Sequence, residues 1–273
     1  MSSSSDTYID QLARQVVIFR PLKSIISIVP SQTELLFYLG LNEEIVGITK
    51  FCVHPKEKIK QKIKIGGTKN LNIEKIRQLK PDLIIVNKEE NNEEQVNELM
   101  KEFPVWMSDI KSLDDTYDMI EKLGIIVGKQ HESKKLINEI QLQFDGLKNK
   151  LKSTLGDKPL KTIYLIWRNP YMTIGADTFI NSMLQLAGFR NCYENKLRYP
   201  EISEVDLEMA NPQLILLSSE PYPFKEKHIE ELQHICPNAQ ITSVDGEMFS
   251  WYGSRLLLSA AYFEKLVNEI KAT

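Results

Sequence analysis

One pattern occurs twice in this chain and limits its fold more than any other feature. Leu83–Val86 is an unbroken apolar run, which is typical of a strand buried on both faces of a parallel sheet. A short helical segment after Asn72 precedes it and is stopped at Pro81, because the residue before a proline avoids the helical region. The same helix, stop and strand recur at Pro212 and Leu214–Leu217. We therefore predict two related α/β halves, with chance similarity of two unrelated units as the alternative.

A long amphipathic segment separates the two halves. Its apolar residues fall three or four positions apart and form one stripe; they are Leu136, Ile140, Phe144, Leu147, Leu151 and Leu155. A helix from about residue 132 to 155 would be roughly 35 Å long at 1.5 Å per residue. That length is enough to connect two lobes stiffly, which favours small rocking over wide closure. The alternative is an ordinary surface helix of one domain.

The predicted fold class is therefore α/β, with two doubly wound Rossmann-like lobes joined by a long backbone helix and a ligand cleft between the lobes. We assign residues 1–127 to an N-terminal lobe, 128–157 to the connecting helix and 158–273 to a C-terminal lobe. The division agrees with the size at which single cores split.

Local signals also predict helix ends. Ser31 to Glu34 has the spacing of a capping box, in which the serine and glutamate side chains satisfy helical N–H groups reciprocally. Ser203 to Asp206 has the same spacing. Gly40 and Gly188 follow helical patterns and suit the left-handed position after a helix. A strand over residues 25–29 and a final helix over residues 254–271 complete the prediction.

Composition excludes several classes of protein. The net charge of −3 gives no basic face for nucleic acid. Cys52, Cys192 and Cys236 are too far apart for a zinc site or a disulfide framework and suit buried apolar positions. The polar start of the chain shows no export signal, and no apolar run is long enough to cross a membrane.

The sequence also predicts a binding protein and not an enzyme. It contains no nucleophile elbow, no H-E-x-x-H, no P-loop and no G-x-G-x-x-G. No metal-ligand spacing occurs among the histidines, of which His131, His228 and His234 suit surface or capping positions. An enzyme on a two-lobed scaffold remains the alternative from another class. It would depend on Asp245, Glu247 and His54, with loss of turnover in alanine variants as its test.

Candidate ligand contacts follow from the rule that ligands of open α/β sheets bind outside the carboxyl ends of the strands. Several of the loops expected there carry aromatic and arginine side chains, Tyr222 and Phe224 among them, which suit a large, flat, partly apolar ligand. The ligand-binding candidates are Gln32, Cys52, His54, Thr68, Lys69, Lys88, Glu89, Trp167, Arg168, Asn169, Tyr171, Arg198, Tyr199, Asp245, Trp251, Tyr252 and Arg255. No catalytic residue and no metal ligand is assigned.

The residues resemble a known family. The runs from Lys23 to Ser31 and from Gly66 to Ile85 resemble substrate-binding proteins of ABC importers that have a helical backbone between lobes. This class takes up cobalamin, siderophores and haem, and the second run is similar to its cobalamin-binding branch. The resemblance covers nearly the whole chain, from about residue 8 to 270.

The resemblance implies a receptor that captures a corrinoid or related metal chelate and delivers it to an ABC permease as a monomer, without a catalytic cofactor. It implies docking through one glutamate on each lobe. Glu74 fits the first position, whereas Val205 stands at the second, so Glu204 or Glu208 would substitute. Lys69 and the charged loop 87–91 depart from the aromatic residues of the cobalamin branch, so a more polar corrinoid or a metal chelate is an alternative ligand.

Location and role have open alternatives. The resemblance implies a periplasmic protein, whereas the missing export signal is compatible with the cytoplasm. A siderophore or haem receptor of the same family, or a cytoplasmic ligand sensor, are therefore the other functions that the sequence allows.

Overall fold

The computed structural model describes residues 4–156 and 159–272. The chain divides into two compact units. Unit 1 comprises the residues up to Ile110 together with Asp114–Asn138 and Tyr252–Arg255, and unit 2 comprises Lys111–Leu113, Glu139–Trp251 and the residues from Leu256 onwards. The predicted boundary at residues 157 and 158 lies outside the described residues.

Unit 1 is built around a five-stranded parallel sheet. The strands of unit 1 are β1 (Ser5–Ile9), β2 (Gln15–Phe19), β3 (Ile25–Ser27), β4 (Ile45–Ile48), β5 (Ile63–Lys64), β6 (Leu83–Asn87) and β7 (Val105–Ser108), of which the last five form the sheet. Its helices are α1 (Pro30–Tyr38), α2 (Lys56–Ile59), α3 (Ile73–Leu79), α4 (Glu93–Leu99) and α5 (Leu113–Ile126). The sheet has the order β5-β4-β3-β6-β7, and β1 and β2 form an antiparallel hairpin. This is the doubly wound arrangement.

The helix after β3 begins differently from the prediction. It starts at Pro30, with Val29 as its N-cap and without a side-chain cap, because the fixed φ of proline suits the first helical position. The capping box predicted for Ser31 and Glu34 is therefore wrong. The Thr33 hydroxyl instead donates to the Val29 carbonyl oxygen over 2.9 Å. At the other end Gly40 adopts φ +94°, as predicted.

A single helix, α6 (Gln130–Leu155), connects the two units along the chain. Its 26 residues correspond to about 39 Å at 1.5 Å per residue. The predicted apolar stripe is buried at Leu136, Ile140, Phe144, Leu147 and Leu151. The prediction of a long connecting helix is confirmed.

Unit 2 contains a second parallel sheet. Its strands are β8 (Leu160–Leu165), β9 (Tyr171–Met172), β10 (Phe189–Asn191), β11 (Glu201–Ile202), β12 (Leu214–Ser218) and β13 (Gln240–Val244). Its helices are α7 (Phe179–Leu186), α8 (Glu204–Ala210), α9 (Glu226–Ile235), α10 (Glu247–Ser250) and α11 (Leu256–Ala272). The sheet has the order β10-β8-β12-β13, and β9 and β11 form a separate antiparallel pair. Two α/β units with separate parallel sheets confirm the predicted fold class.

The internal repeat is visible in the backbone. Helices α3 and α8 occupy equivalent residues, as do strands β6 and β12. Between them, Lys80 and Asn211 both end their helix in the left-handed region, with φ 45° and 44°. Asn72 caps α3 through its side chain, and Ser203 caps α8 in the predicted capping box. The two halves therefore share the same local design at the positions that the sequence aligned.

Both strands of the repeat are buried along their whole length. They are central in their sheets: β6 lies between β3 and β7, and β12 lies between β8 and β13. This explains why both strands are uninterrupted apolar runs, since such strands have no solvent-exposed face to carry polar residues. Within the described part of the chain, no helix is both long and apolar enough to cross a membrane.

Candidate ligand-binding site

Each sheet has one switch point, at which the strand order reverses. In unit 1 the reversal lies between β3 and β6, and in unit 2 it lies between β8 and β12. Ligands of doubly wound sheets bind outside the carboxyl ends of the strands at this point. The loops concerned begin at Ile28 and Lys88 in unit 1 and at Ile166 and Ser219 in unit 2.

Two asparagines fix the strand-end loops of unit 1. Asn87 Oδ1 accepts hydrogen bonds from the backbone N–H groups of Glu89 and Glu90 at 2.8 and 3.0 Å. Asn91 Oδ1 accepts from the Asn87 N–H, and Asn91 Nδ2 donates to the Thr68 carbonyl oxygen over 3.1 Å. Both asparagine side chains are buried. The loop after β6 and the loop that carries Thr68 are therefore held together.

Both lysine candidates of unit 1 are engaged within it. Lys69 Nζ donates to the carbonyl oxygens of Glu89 and Asn91, at 2.6 and 3.3 Å. Lys88 Nζ lies 2.9 Å from Asp109 Oδ2 at the end of β7. The candidates Thr68, Lys69, Lys88 and Glu89 are thus brought to one edge of the sheet.

The short segment Tyr252–Arg255 belongs to unit 1 although its neighbours along the chain belong to unit 2. The Tyr252 hydroxyl donates to Glu90 Oε1 over 2.6 Å. Arg255 contacts both carboxylate oxygens of Glu34, at 2.6 and 3.0 Å. Gly253, at φ +103°, lets the chain pass close to Leu35. Two candidates, Tyr252 and Arg255, therefore tie this segment to α1 and to the loop after β6.

Three other candidates of unit 1 lie beside α1 or on the loop after β4. Gln32 is fully buried, and its Nε2 donates to Ser108 Oγ over 2.5 Å. Cys52 is 1% exposed, and its sulfur contacts the hydroxyls of Thr33 and Thr49. Burial raises the pKa of the Cys52 thiol, despite these hydrogen bonds. His54 is half-buried.

In unit 2, aromatic side chains gather at the switch point. Trp167, after β8, contacts Tyr222, after β12, edge to face with ring centres 5.5 Å apart. Tyr222 contacts Phe224 at 4.8 Å, and both contact His228 of α9 at 5.6 and 5.7 Å. We call these four residues the aromatic cluster. Edge-to-face pairs of this kind stabilise a fixed ring arrangement.

His228 is the buried member of the aromatic cluster. It is 2% exposed, and its Nδ1 accepts a hydrogen bond from the Lys225 N–H over 2.8 Å. Burial, together with the nearby positive charge of Arg168, lowers the pKa of His228. The neutral imidazole therefore caps α9, as the sequence allowed.

A carboxylate links three elements of unit 2. Glu231 of α9 accepts from Arg168 with both oxygens, at 2.6 and 2.8 Å, and from the Tyr171 hydroxyl at 2.5 Å. Burial alone opposes ionisation of Glu231, but these hydrogen bonds hold its pKa below the usual value. The candidates Arg168 and Tyr171 therefore position the loop after β8, next to Trp167.

The remaining candidates of unit 2 lie on two further loops and on the turn after β8. Arg198 lies 3.8 Å from Asp177 Oδ2, and its guanidinium carbon is 5.8 Å from the Tyr199 ring centre. Asn169 is exposed in the turn after β8. Asp245, at the end of β13, accepts from the Glu247 N–H over 3.0 Å.

Glu220 is a buried carboxyl that the sequence did not single out. Its Oε1 accepts from Ser250 Oγ at 2.7 Å and from Trp251 Nε1 at 3.1 Å. Burial raises its pKa, and the negative charges of Glu247 and Asp245 act in the same direction. Trp251, itself a candidate, is 7% exposed and is oriented by this carboxyl.

The raised pKa of Glu220 predicts a pH-dependent stability. The folded protein binds this proton more tightly than the unfolded chain, so the group stabilises most in acid. This contribution decreases as the pH rises from the unfolded pKa through the folded one. We expect Glu220→Gln, which keeps the acceptor oxygen, to raise the melting temperature at pH 7.5 more than at pH 4. Thermal unfolding followed by circular dichroism checks this. The control is Glu121→Gln, at an exposed residue of α5. An equal gain at both pH values would contradict it.

The predicted docking glutamates lie on the repeated helices. Glu74 is exposed on α3 and contacts Arg77 at 2.5 Å, and Arg77 also contacts Glu98 and Glu102. Glu204 is exposed in the first turn of α8. Val205, which occupies the position equivalent to Glu74, is 61% exposed.

The charge partners of the candidates were missed from the sequence. Glu34, Glu231 and Asp177 anchor Arg255, Arg168 and Arg198, but they lie 21 to 221 residues away along the chain. No local pattern marks such pairs. Among the described residues, no group of three histidine, cysteine or acidic side chains could hold a metal ion.

Comparison with known proteins defines the class to which the chain belongs. The family model for periplasmic binding proteins matches residues 25–238. The chain belongs to the periplasmic binding protein family. This confirms the resemblance to substrate-binding proteins of ABC importers.

Similar proteins are named for several ligands. An uncharacterised ABC transporter substrate-binding lipoprotein, YvrC of Bacillus subtilis, is 26% identical over 91% of this chain and 81% of its own length. A vitamin B12-binding protein of Vibrio cholerae is 26% identical over 72% of this chain and 71% of its own length. A periplasmic haem-binding protein of Pseudomonas aeruginosa superposes with a TM-score of 0.79 at 18% identity, over 90% of this chain and 92% of that one.

Proposed function

We propose that this chain is a substrate-binding protein that captures a corrinoid or related metal chelate and delivers it to an ABC importer. The strand-end loops carry the proposed contacts, and the ligand is bound without chemical change. The observation that carries the proposal is the aromatic cluster at the switch point of unit 2.

The cluster suits a flat, partly apolar ligand. Trp167 is 39% exposed, although its ring is held edge to face against Tyr222. A large aromatic ring that is both exposed and held in place costs little conformational entropy when a ligand covers it. Corrinoids and porphyrins offer broad ring surfaces that can cover such a side chain, and simple ions do not.

The names of the relatives support the same ligand class. Vitamin B12 is the ligand in the name of one relative, and haem is the ligand in the name of a structural neighbour. A haem or siderophore receptor is therefore the second candidate. A cytoplasmic ligand sensor is the third, and an adjacent permease gene would argue against it.

Calorimetric titration with cyanocobalamin and dicyanocobinamide tests the proposal. We expect micromolar or tighter binding. Trp167→Ala should weaken it roughly tenfold or more, because central aromatic contacts carry much of the binding energy. Phe19→Ala is the control, since Phe19 is 57% exposed on the β1–β2 hairpin. If corrinoids, haem and ferric siderophores all give no heat of binding and no thermal shift, the proposed class of corrinoid and metal-chelate ligands is wrong.

Delivery requires a partner, for which we propose an ABC permease that contacts Glu74 on α3 and Glu204 on α8. The protein would act as a monomer outside the cytoplasm. Turnover of a bound compound that is lost when Asp245, Glu247 or His54 is replaced by alanine would instead support the enzyme alternative.

A further inference from the structure

The positively charged candidate ligand contacts are already engaged inside the protein. Five candidate ligand contacts are lysines or arginines, and each has an acceptor in its own unit. The pairs are Lys69 with the carbonyl oxygens of Glu89 and Asn91, Lys88 with Asp109, Arg168 with Glu231, Arg198 with Asp177, and Arg255 with Glu34.

Two of these pairs are sheltered from water. In the Arg255–Glu34 pair the side chains are 8% and 19% exposed, and in the Arg168–Glu231 pair they are 22% and 30% exposed. Both arginines donate to both carboxylate oxygens, the strongest geometry for such hydrogen bonds. A ligand carboxylate at either guanidinium would therefore share it with a carboxylate that is already in place, and would meet the negative charge of that group.

Lys69 is held by backbone carbonyl oxygens and not by a carboxylate, and it too would have to give up existing contacts to bind an anion. Lys69 joins the loop that follows β6 to its own loop through two carbonyl oxygens, so its displacement would break both of these hydrogen bonds. Lys50, after β4, is held by an aromatic ring, with Nζ 5.1 Å from the centre of Phe51. A ring contact of this kind holds a cation less tightly than a sheltered ion pair does, so an anionic ligand would recruit Lys50 at a lower cost than Arg168 or Arg255.

Acidic side chains make the surroundings less favourable still for an anion. Glu89 and Glu90 follow β6, and Glu220 and Asp245 follow β12 and β13. A ligand carboxylate bound at these loops would lose water and meet like charges. An amide would lose less solvation free energy on binding, because water solvates it more weakly than a carboxylate. It can also donate hydrogen bonds to the acidic side chains.

We infer that the ligand selected by this chain has a neutral or cationic periphery of amide type, and that macrocycles with free carboxylates, haem among them, are disfavoured. This inference rests on the proposed function and narrows its ligand class. It follows from the five engaged cations of the candidate site.

Two matched ligand pairs test it by calorimetry at pH 7.5. The first is cyanocobalamin and its monocarboxylic acid, in which one peripheral amide has been hydrolysed. The second is haem dimethyl ester and haem. Within each pair the ring system is unchanged, and the main difference is the peripheral charge. We expect the neutral member to bind roughly tenfold more tightly or better, the factor that corresponds to one poorly compensated carboxylate.

Variants assign the effect to the engaged cations. Glu231→Gln removes the charge opposite Arg168, and we expect the affinity ratio to shift toward the acid by roughly threefold or more. Glu264→Gln, which removes the exposed partner of Lys150, should leave the ratio unchanged. Equal or tighter binding of the acids by the wild type would overturn the inference. So would acid binding that Lys50→Ala abolishes.

A second measurement separates this inference from the proposed function. If neither ligand pair binds, the function fails, and phenylglyoxal labelling with mass spectrometry still decides the charge assignment. This neutral reagent modifies guanidinium groups that are not engaged. We expect slow labelling of Arg168 and Arg255 in the wild type and clearly faster labelling of Arg168 in Glu231→Gln. Unchanged labelling of Arg168 in the variant would show that the carboxylate does not engage it.

Discussion

Gly175→Ala is expected to destabilise unit 2 by about 3 kcal/mol, the upper end of the usual cost of overpacking. A Cβ at this position would lie 2.6 Å from the Leu197 carbonyl carbon and 2.7 Å from the Lys196 carbonyl oxygen. Both are backbone atoms, so a side-chain rotation cannot relieve the clash. Chemical denaturation followed by circular dichroism measures the loss.

The same contact positions part of the candidate site. The Gly175 N–H donates to the Arg198 carbonyl oxygen over 2.7 Å, and the Ala176 N–H donates to the Lys196 carbonyl oxygen over 2.8 Å. The loop that carries Arg198 and Tyr199 is thus held against residues 175–177. We expect Gly175→Ala to raise hydrogen exchange in residues 193–200 as well as to lower stability.

Gly146→Ala is the matched control for this substitution. Gly146 lies within α6, and a Cβ there would meet no heavy atom within 4 Å. Alanine is the better helix former, so this variant should gain about 0.5–1 kcal/mol. Similar stability changes in the two variants would contradict the steric argument, because the substitution is chemically the same.

Glu34→Ala is expected to cost about 2–4 kcal/mol, somewhat less than the loss of a partner from a fully buried ion pair. It would leave the Arg255 guanidinium, 8% exposed, without the carboxylate that it contacts at 2.6 Å. The segment Tyr252–Arg255 would lose its ion pair with α1. Its amides should then exchange faster with solvent, which mass spectrometry detects.

Glu264→Ala provides the comparison. It also removes the acidic partner of a cation, but the Lys150 and Glu264 side chains are 60% and 37% exposed. Exposed pairs contribute about 0–1 kcal/mol. Equal losses in the two variants would mean that burial of the Arg255–Glu34 pair adds nothing to stability.

The sequence contained most of the fold. Each repeated element depends on neighbouring residues and was therefore predictable. These elements are the helix capped by Asn72, the strand Leu83–Asn87 and their counterparts in the second half of the chain. Apolar periodicity, a capping side chain and a proline stop act within one or two turns of the chain. The long helix α6 was predictable for the same reason.

One local rule failed for a tertiary reason. Glu34 has the spacing of a capping box, but Pro30 starts the helix and Arg255 takes the Glu34 carboxylate. Several residues predicted as ligand contacts, Lys69 and Arg168 among them, were correctly placed at strand ends. Their intramolecular partners had no signal in the sequence.

What the sequence by itself determined was the order of helices and strands, the doubling of the fold and the loops that meet at each switch point. These features follow from short-range patterns of apolar and polar residues. Only the tertiary structure decided which charges are paired, because Arg168 and Glu231 are 63 residues apart and Arg255 and Glu34 are 221 apart. Such pairs form when packed elements bring distant residues within hydrogen-bond distance, and no local pattern encodes that distance.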